Sequence, residues 1–232
     1  MIYPIRYYGD PLLRKRASPV RKFDAELARL AADMIETMYA ADGIGLAAPQ
    51  IGVQLRLFVA LEAASRDDDD VEVVGQLSAS AGHEDQAGAD GPPATEGEPH
   101  TRAEKREAWG VINEHVIVNP VIVESSGRQY GRDGCLSLPG LVVDDVPRAL
   151  DVLLDYQDLS GERRRLSAHG YFAHVLQHEF DHLEGVLFFD HLPPARRESF
   201  LEENRAQLAQ WQREARSRLK GVADHQPRSR AG

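Results

Sequence analysis

A single cysteine in 232 residues, Cys135, excludes an intramolecular disulfide, and a lone thiol in a chain that opens without a secretory signal fits a cytoplasmic setting. Long apolar runs are also missing: nothing approaches the roughly 20 residues a membrane-spanning helix needs, so no membrane partner is expected. No repeat period is visible. Gly43-Ile44-Gly45 lacks the third glycine of a dinucleotide-binding loop and the Gly-Lys-Ser/Thr of a P-loop, and it precedes a strand instead of opening a helix. The formal charge of −10 is unevenly spread, because residues 63–108 hold twelve acidic against four basic side chains, −8 of the total. The remainder is nearly neutral, so the acidity describes that stretch and not a site, and no DNA partner is expected.

What is present is concentrated in a few segments. His178-Glu179-Phe180-Asp181-His182 sets two histidines four apart, on one face of a helix and about a turn from each other, with a carboxylate beside them. Their nitrogens can converge on one divalent ion. The plainer alternative is a buried helix with two hydrogen-bonded histidines. Tyr171, Phe172, Ala173, Val175, Leu176, Phe180 and Leu183 surround the polar set on nearly every face, so the helix is buried, and burying so many ionisable groups is costly without compensation. His174 extends the stripe, but His174 to His182 spans about 12 Å of helix at 1.5 Å per residue, too far for all three imidazoles to reach one ion. Cys135, bracketed in Gly134-Cys135-Leu136-Ser137-Leu138-Pro139-Gly140, is the candidate third ligand; a small buried hydrophobe is the commoner fate of a lone cysteine. One thiolate and two imidazoles leave a coordination position for water, which the ion would acidify toward neutrality, with Glu179 placed to move the proton.

Gly43-Ile44-Gly45-Leu46-Ala47-Ala48-Pro49-Gln50, Gly134-Cys135-Leu136-Ser137 and Gln177-His178-Glu179-Phe180-Asp181-His182-Leu183 resemble, in order, the three signature segments of the bacterial peptide deformylases. The resemblance covers residues 1–62 and 110–192, including Tyr8-Gly9-Asp10-Pro11-Leu12-Leu13. It implies a metal-dependent hydrolase that removes the formyl group from N-formylmethionine on nascent polypeptides, with Fe2+ as the usual metal and Zn2+, Ni2+ or Co2+ as substitutes. It implies that Cys135, His178 and His182 hold the ion, that Glu179 is the acid and base, and that the Gln50 amide and the Leu136 backbone N–H stabilise the oxyanion. Gly43 and Gly45 would let a peptide lie along the backbone as an added strand, with Ile44, Tyr171, His174 and Val175 matching the family's methionine pocket and Arg148 a position near the peptide. One departure stands out: the family usually has Glu before Gly-Cys, and this chain has Asp133, shorter by a methylene. A zinc endopeptidase shares the helix motif but recruits a third His or Glu downstream, where only His191 is on offer. A structural metal module would need a fourth protein ligand.

For the fold, Asp24 caps a helix with Leu27, Leu30, Met34 and Met38 on one stripe, ended by Gly43. Strands are expected over 53–61, 116–123, 150–156 and 163–168, with Ser160-Gly161 turning between the last two. The expected architecture is α+β: antiparallel or mixed sheets around a central buried metal-binding helix, with a C-terminal helix, all in one domain over 1–232. Within it, residues 63–108 read as a loose acidic insertion, in which His83 and His100 are poor ligands. Residues 195–220 read as one long helix, and from Arg196 to Lys220 it carries seven basic against four acidic residues. A positive tail suits contact with ribosomal RNA, the suggested partner for this helix, although a solvated face is the ordinary role of such a segment.

Overall fold

Asp24 opens the first helix as its sequence requires, accepting hydrogen bonds from the backbone N–H groups of Glu26 and Leu27. In the computed structural model, which describes residues 1–64 and 101–224 and side chains through residue 218, this helix is α1, Ala25–Ala40. Its inward stripe carries Met34 and Met38, both fully buried. β1 (Gly45–Ala47), a 3-10 turn over Ala48–Ile51 and β2 (Leu57–Ala63) follow. The chain is next described at α2 (Arg102–Ala108), β3 (Val111–Ser126), β4 (Gln129–Cys135), β5 (Leu138–Arg148), β6 (Asp151–Gln157) and β7 (Arg163–His169). α3 (Gly170–Glu184), a 3-10 turn over Phe188–His191, α4 (Pro194–Glu203) and α5 (Arg205–Asp224) complete it.

Two antiparallel sheets result: a five-stranded sheet in the order β1-β2-β3-β6-β7, and the β4–β5 hairpin. α3 packs on β1 and β2 through Ala173, Val175, Leu176 and Leu183, all buried with Ala47, Phe58, Ala60 and Ile117 of the sheet. α1 covers a second apolar cluster with Leu46, Leu57 and Val59. A third cluster joins Cys135 and Leu138 of the hairpin to Phe188, Phe189, Phe200, Leu208 and Trp211. The metal-motif helix is therefore central, as the α+β expectation has it. No described helix is long and apolar enough to cross a membrane.

Several element boundaries differ from the sequence reading, each for a physical reason. The stretch expected as an acidic insertion over 63–108 lies mostly outside the described residues, His83 and His100 included. Its last part is ordered: Thr101 and Glu104 form a reciprocal capping box and Arg102–Ala108 is helical. The long C-terminal helix is two helices meeting at Asn204, whose side-chain amide donates to the Phe200 carbonyl that its own backbone N–H also reaches. The β4–β5 hairpin was hidden by Gly131, Gly134 and the polar residues between them, which have low strand propensity.

Packing outweighs capping in holding α1, and the two are separable by mutation. Met38→Ala should lower unfolding free energy by about 2–5 kcal/mol, and Asp24→Ala by about 1 kcal/mol. Urea unfolding midpoints of the two variants check the order, and equal losses would contradict it.

Candidate metal centre

β4 carries Asp133 and Cys135 to the turn end of the hairpin, where they face the buried side of α3. The ligand atoms of Cys135, His178 and His182 all lie within 4.8 Å of one another, and all three residues are buried. Cys135 Sγ is 3.2 Å from His182 Nε2. His178 Nδ1 is 2.7 Å from Asp133 Oδ1, which fixes the ring and turns its other nitrogen toward the cluster. His174, as the helix geometry predicts, does not join them; it is buried with Nε2 3.1 Å from Asp133 Oδ2.

The shorter carboxylate at Asp133 thus serves three cations or potential cations at once. Besides both histidines it takes a hydrogen bond from Arg148 Nη2 at 2.9 Å. Arg148 also donates to Asp181, which in turn bonds His191 at 2.7 Å. The guanidinium is buried and committed to these two carboxylates, so Arg148 lies behind the ligand set. His191 belongs to this same network and sits in a 3-10 turn.

Glu179 and Gln50 meet the ligands from the other side. Gln50 Oε1 accepts the Ala47 N–H at 2.7 Å, which aims its amide nitrogen at Cys135 Sγ, 3.5 Å away, and at Ser137 Oγ, 3.4 Å away. Glu179 is buried, and its Oε2 has no hydrogen-bond partner among the described residues. A Cβ on Gly45 would overlap the Glu179 carboxylate, and one on Gly43 would come within 2.7 Å of Leu136 Cδ1. Only glycine lets this backbone pass so close to both. Ile44 is half-buried next to it, and its carbonyl accepts the Leu61 N–H at 2.8 Å. Tyr171 is half-buried with its ring 6.0 Å from that of His174, whereas Val175 is wholly within the core beneath α3.

Burial sets the protonation states. It pushes Glu179 up to about 7, against the opposing pull of His178 and His182. Burial also disfavours a Cys135 thiolate, yet His182 and His178 outweigh it and bring the thiol from 9.0 down to about 5. On His178 desolvation works against charge, and the Asp133 carboxylate prevails, raising it well above the usual imidazole range. Asp133 itself is held far below the ordinary carboxylate range, its burial overcome by His178 and His174. A thiolate and two imidazole nitrogens, with an unsatisfied Glu179 carboxylate oxygen buried beside them, are a donor set a divalent ion fits.

The family profile described as polypeptide deformylase matches residues 2–198. The chain belongs to the polypeptide deformylase family. It is 46% identical over 223 residues to the peptide deformylase of Thermus thermophilus, covering 96% of this chain and 99% of that one. The crystal structure of a Thermus thermophilus peptide deformylase superposes with a TM-score of 0.71 at 44% identity, over 92% of this chain and 99% of its own. That of Thermotoga maritima gives a TM-score of 0.60 at 35% identity, over 84% and 99%. The polypeptide deformylases are metal-dependent hydrolases, and the Cys135–His178–His182 cluster is a possible metal site in this one.

Residues that sequence reasoning passed over complete the setting. Gln177 bonds both the N–H and the carbonyl of Ala149 and so ties α3 to the β5–β6 turn, at 2.9 Å each. Ser137 donates its backbone N–H to Cys135 Sγ at 3.4 Å and presents its hydroxyl to Gln50. Both stand inside the signature segments, which gave them no role of their own.

The charge pattern predicts how the metal-free protein takes up an ion. Near neutrality Cys135 is already ionised, so the protons expelled come from His178 and the half-protonated Glu179; below about 5 the thiol is protonated too, and more protons leave. Proton release on Zn2+ addition, followed with an indicator dye in weak buffer, should therefore grow as pH falls below about 5. A count that stays flat across that point would contradict the assignment.

Proposed function

We propose that Cys135, His178 and His182 hold the catalytic ion and that Glu179, Gln50 and Leu136 perform the hydrolysis. The enzyme removes the formyl group from the N-terminal formylmethionine of newly synthesised proteins, the reaction of its family. The observation that carries the residue assignment is the buried Glu179 carboxylate with an unpartnered oxygen beside a cluster of three metal-ligating atoms. When bound, the ion supplies Lewis acidity, promoting loss of a proton from water and polarising the formyl carbonyl.

Glu179 takes the proton of the attacking water as the water oxygen bonds to the formyl carbon. With its titration raised to about 7 by burial, the same carboxyl is suited to accepting that proton and then releasing it. The Gln50 amide, held by Ala47 through its oxygen, and the Leu136 backbone N–H receive the negative oxygen of the tetrahedral intermediate. Glu179 then gives its proton to the amine nitrogen, the C–N bond breaks, and formate leaves with the free methionine amine. Gly45 lies on β1, an edge strand that pairs with β2 alone among the described residues, where an extended substrate can add as a strand read through its main chain. Ile44 and Tyr171 flank that edge as walls for the methionine side chain. Val175 supports them from the core, and His174 and Arg148 act through Asp133.

Fe2+ is the native ion in this reading, by family resemblance, and the mixed thiolate and imidazole set also suits Zn2+, Ni2+ and Co2+. The setting is the cytoplasm, where formylated chains emerge. The ribosome is the partner proposed for α5, whose Leu208, Trp211 and Ala215 are buried against the body while Arg213, Arg216 and Arg218 face outward.

Glu179→Ala should keep one ion per chain and lose formate release by about 10²-fold or more, the scale of general acid and base catalysis. Metal analysis and a formate assay on one anaerobic preparation check it, and full activity would refute the mechanism. For the tail, changing Arg213, Arg216 and Arg218 together to Glu should weaken ribosome co-sedimentation without altering formate release. Unchanged co-sedimentation at low salt would remove the ribosome from the account.

A further inference from the structure

α2 follows the stretch outside the described residues and is unusually well fastened for a helix of seven residues. Arg102 donates to Glu36 of α1 at 2.7 Å and pairs with Glu114 of β3, and Arg106 reaches the same Glu114 at 2.6 Å. Tyr39 of α1 stacks on Trp109 with ring centroids 5.8 Å apart, and its hydroxyl donates to Glu114 at 2.8 Å. Beneath this network runs the one buried lysine among the described residues. Lys105 Nζ donates to the Tyr39 carbonyl at 2.7 Å and to the Asp42 carboxylate. A buried ammonium is costly unless its protons are used, so these contacts specify where the two acceptors stand.

Both acceptors belong to the end of α1, three to six residues before Gly45. Asp42 has φ of 55°, a left-handed conformation that turns the chain out of the helix. Gly43 then bonds back to the Met38 carbonyl at 2.9 Å, and the chain passes Leu136 and Glu179 without room for a side chain. A shift of Asp42 is carried directly into the backbone that borders the metal centre.

We infer that α2 sets the position of the Gly43–Gly45 segment and that Lys105 is a positioning residue for peptide binding, acting through Tyr39 and Asp42. This rests on the reading of β1 as the strand that pairs with substrate. The helix does not touch the reacting atoms. Its effect falls on the main chain of the substrate beyond the formylmethionine, so it governs KM for extended peptides and leaves the chemical step alone.

The test compares an N-formylmethionyl tripeptide with N-formylmethionine amide, which has no further main chain to pair, in the wild type and in Lys105→Met, Lys105→Arg and Asp42→Asn. Lys105→Met should raise KM for the tripeptide about ten-fold with kcat within about two-fold, change the amide little, and keep the ion. Lys105→Arg should recover much of the loss, and Asp42→Asn, which tolerates the left-handed turn and changes an exposed side chain, should show the same split even where Lys105→Met folds poorly. Unaltered KM in both Lys105→Met and Asp42→Asn, or an equal fall in kcat for both substrates, overturns the proposal while strand pairing stands. A wild-type enzyme that treats tripeptide and amide alike overturns strand pairing itself, and the proposal with it.

Discussion

Everything in this protein turns on the cost of holding ionisable groups in an apolar interior. α3 carries three imidazoles and a carboxylate into a core of alanine, valine, leucine and phenylalanine, and the hairpin adds a thiol and Asp133. Uncompensated, each of these groups would lose several kcal/mol of hydration if charged. Asp133 resolves most of this by pairing with Arg148, His174 and His178 together, and Arg148 carries the surplus across to Asp181 and His191. The Cys135 thiol, surrounded by imidazoles, ionises readily. Glu179 Oε2 is left without a partner among the described residues, where the chemistry needs a free carboxylate oxygen.

This arrangement links stability to function through one set of contacts. The charge balance that makes burial tolerable also orients His178 and lowers the thiol, while burial itself raises Glu179 to about 7. Burial itself opposes the Cys135 thiolate and the charged His178, but the neighbouring charges act with little screening in a low-dielectric site and prevail. The glycines at 43 and 45 serve the same end from the opposite wall, letting backbone approach where any side chain would collide with Leu136 or Glu179.

The centre was legible in the sequence because its residue types are rare and their spacing is chemical. Histidines four apart on an apolar helix and a lone cysteine between glycines led to three ligands that the fold brings within 4.8 Å. The helical period of Leu27, Met34 and Met38 and the runs over β6 and β7 were equally plain. What stayed hidden depends on partners distant in sequence. Nothing local to Arg148 says that its guanidinium is claimed by Asp181, 33 residues away, as well as by Asp133. α2 lies at the end of a low-complexity acidic run and takes its stability from ion pairs to α1 and β3, so propensity alone does not reveal it. Nor does composition show that a chain with seven cations in its tail breaks at Asn204.

X-ray absorption at the edge of the bound metal, on protein purified without oxygen, tests the central claim most directly. The account predicts one sulfur and two imidazole nitrogen neighbours about the ion, with the sulfur absent from Cys135→Ser. A first shell of nitrogen and oxygen alone in the wild-type protein would contradict it.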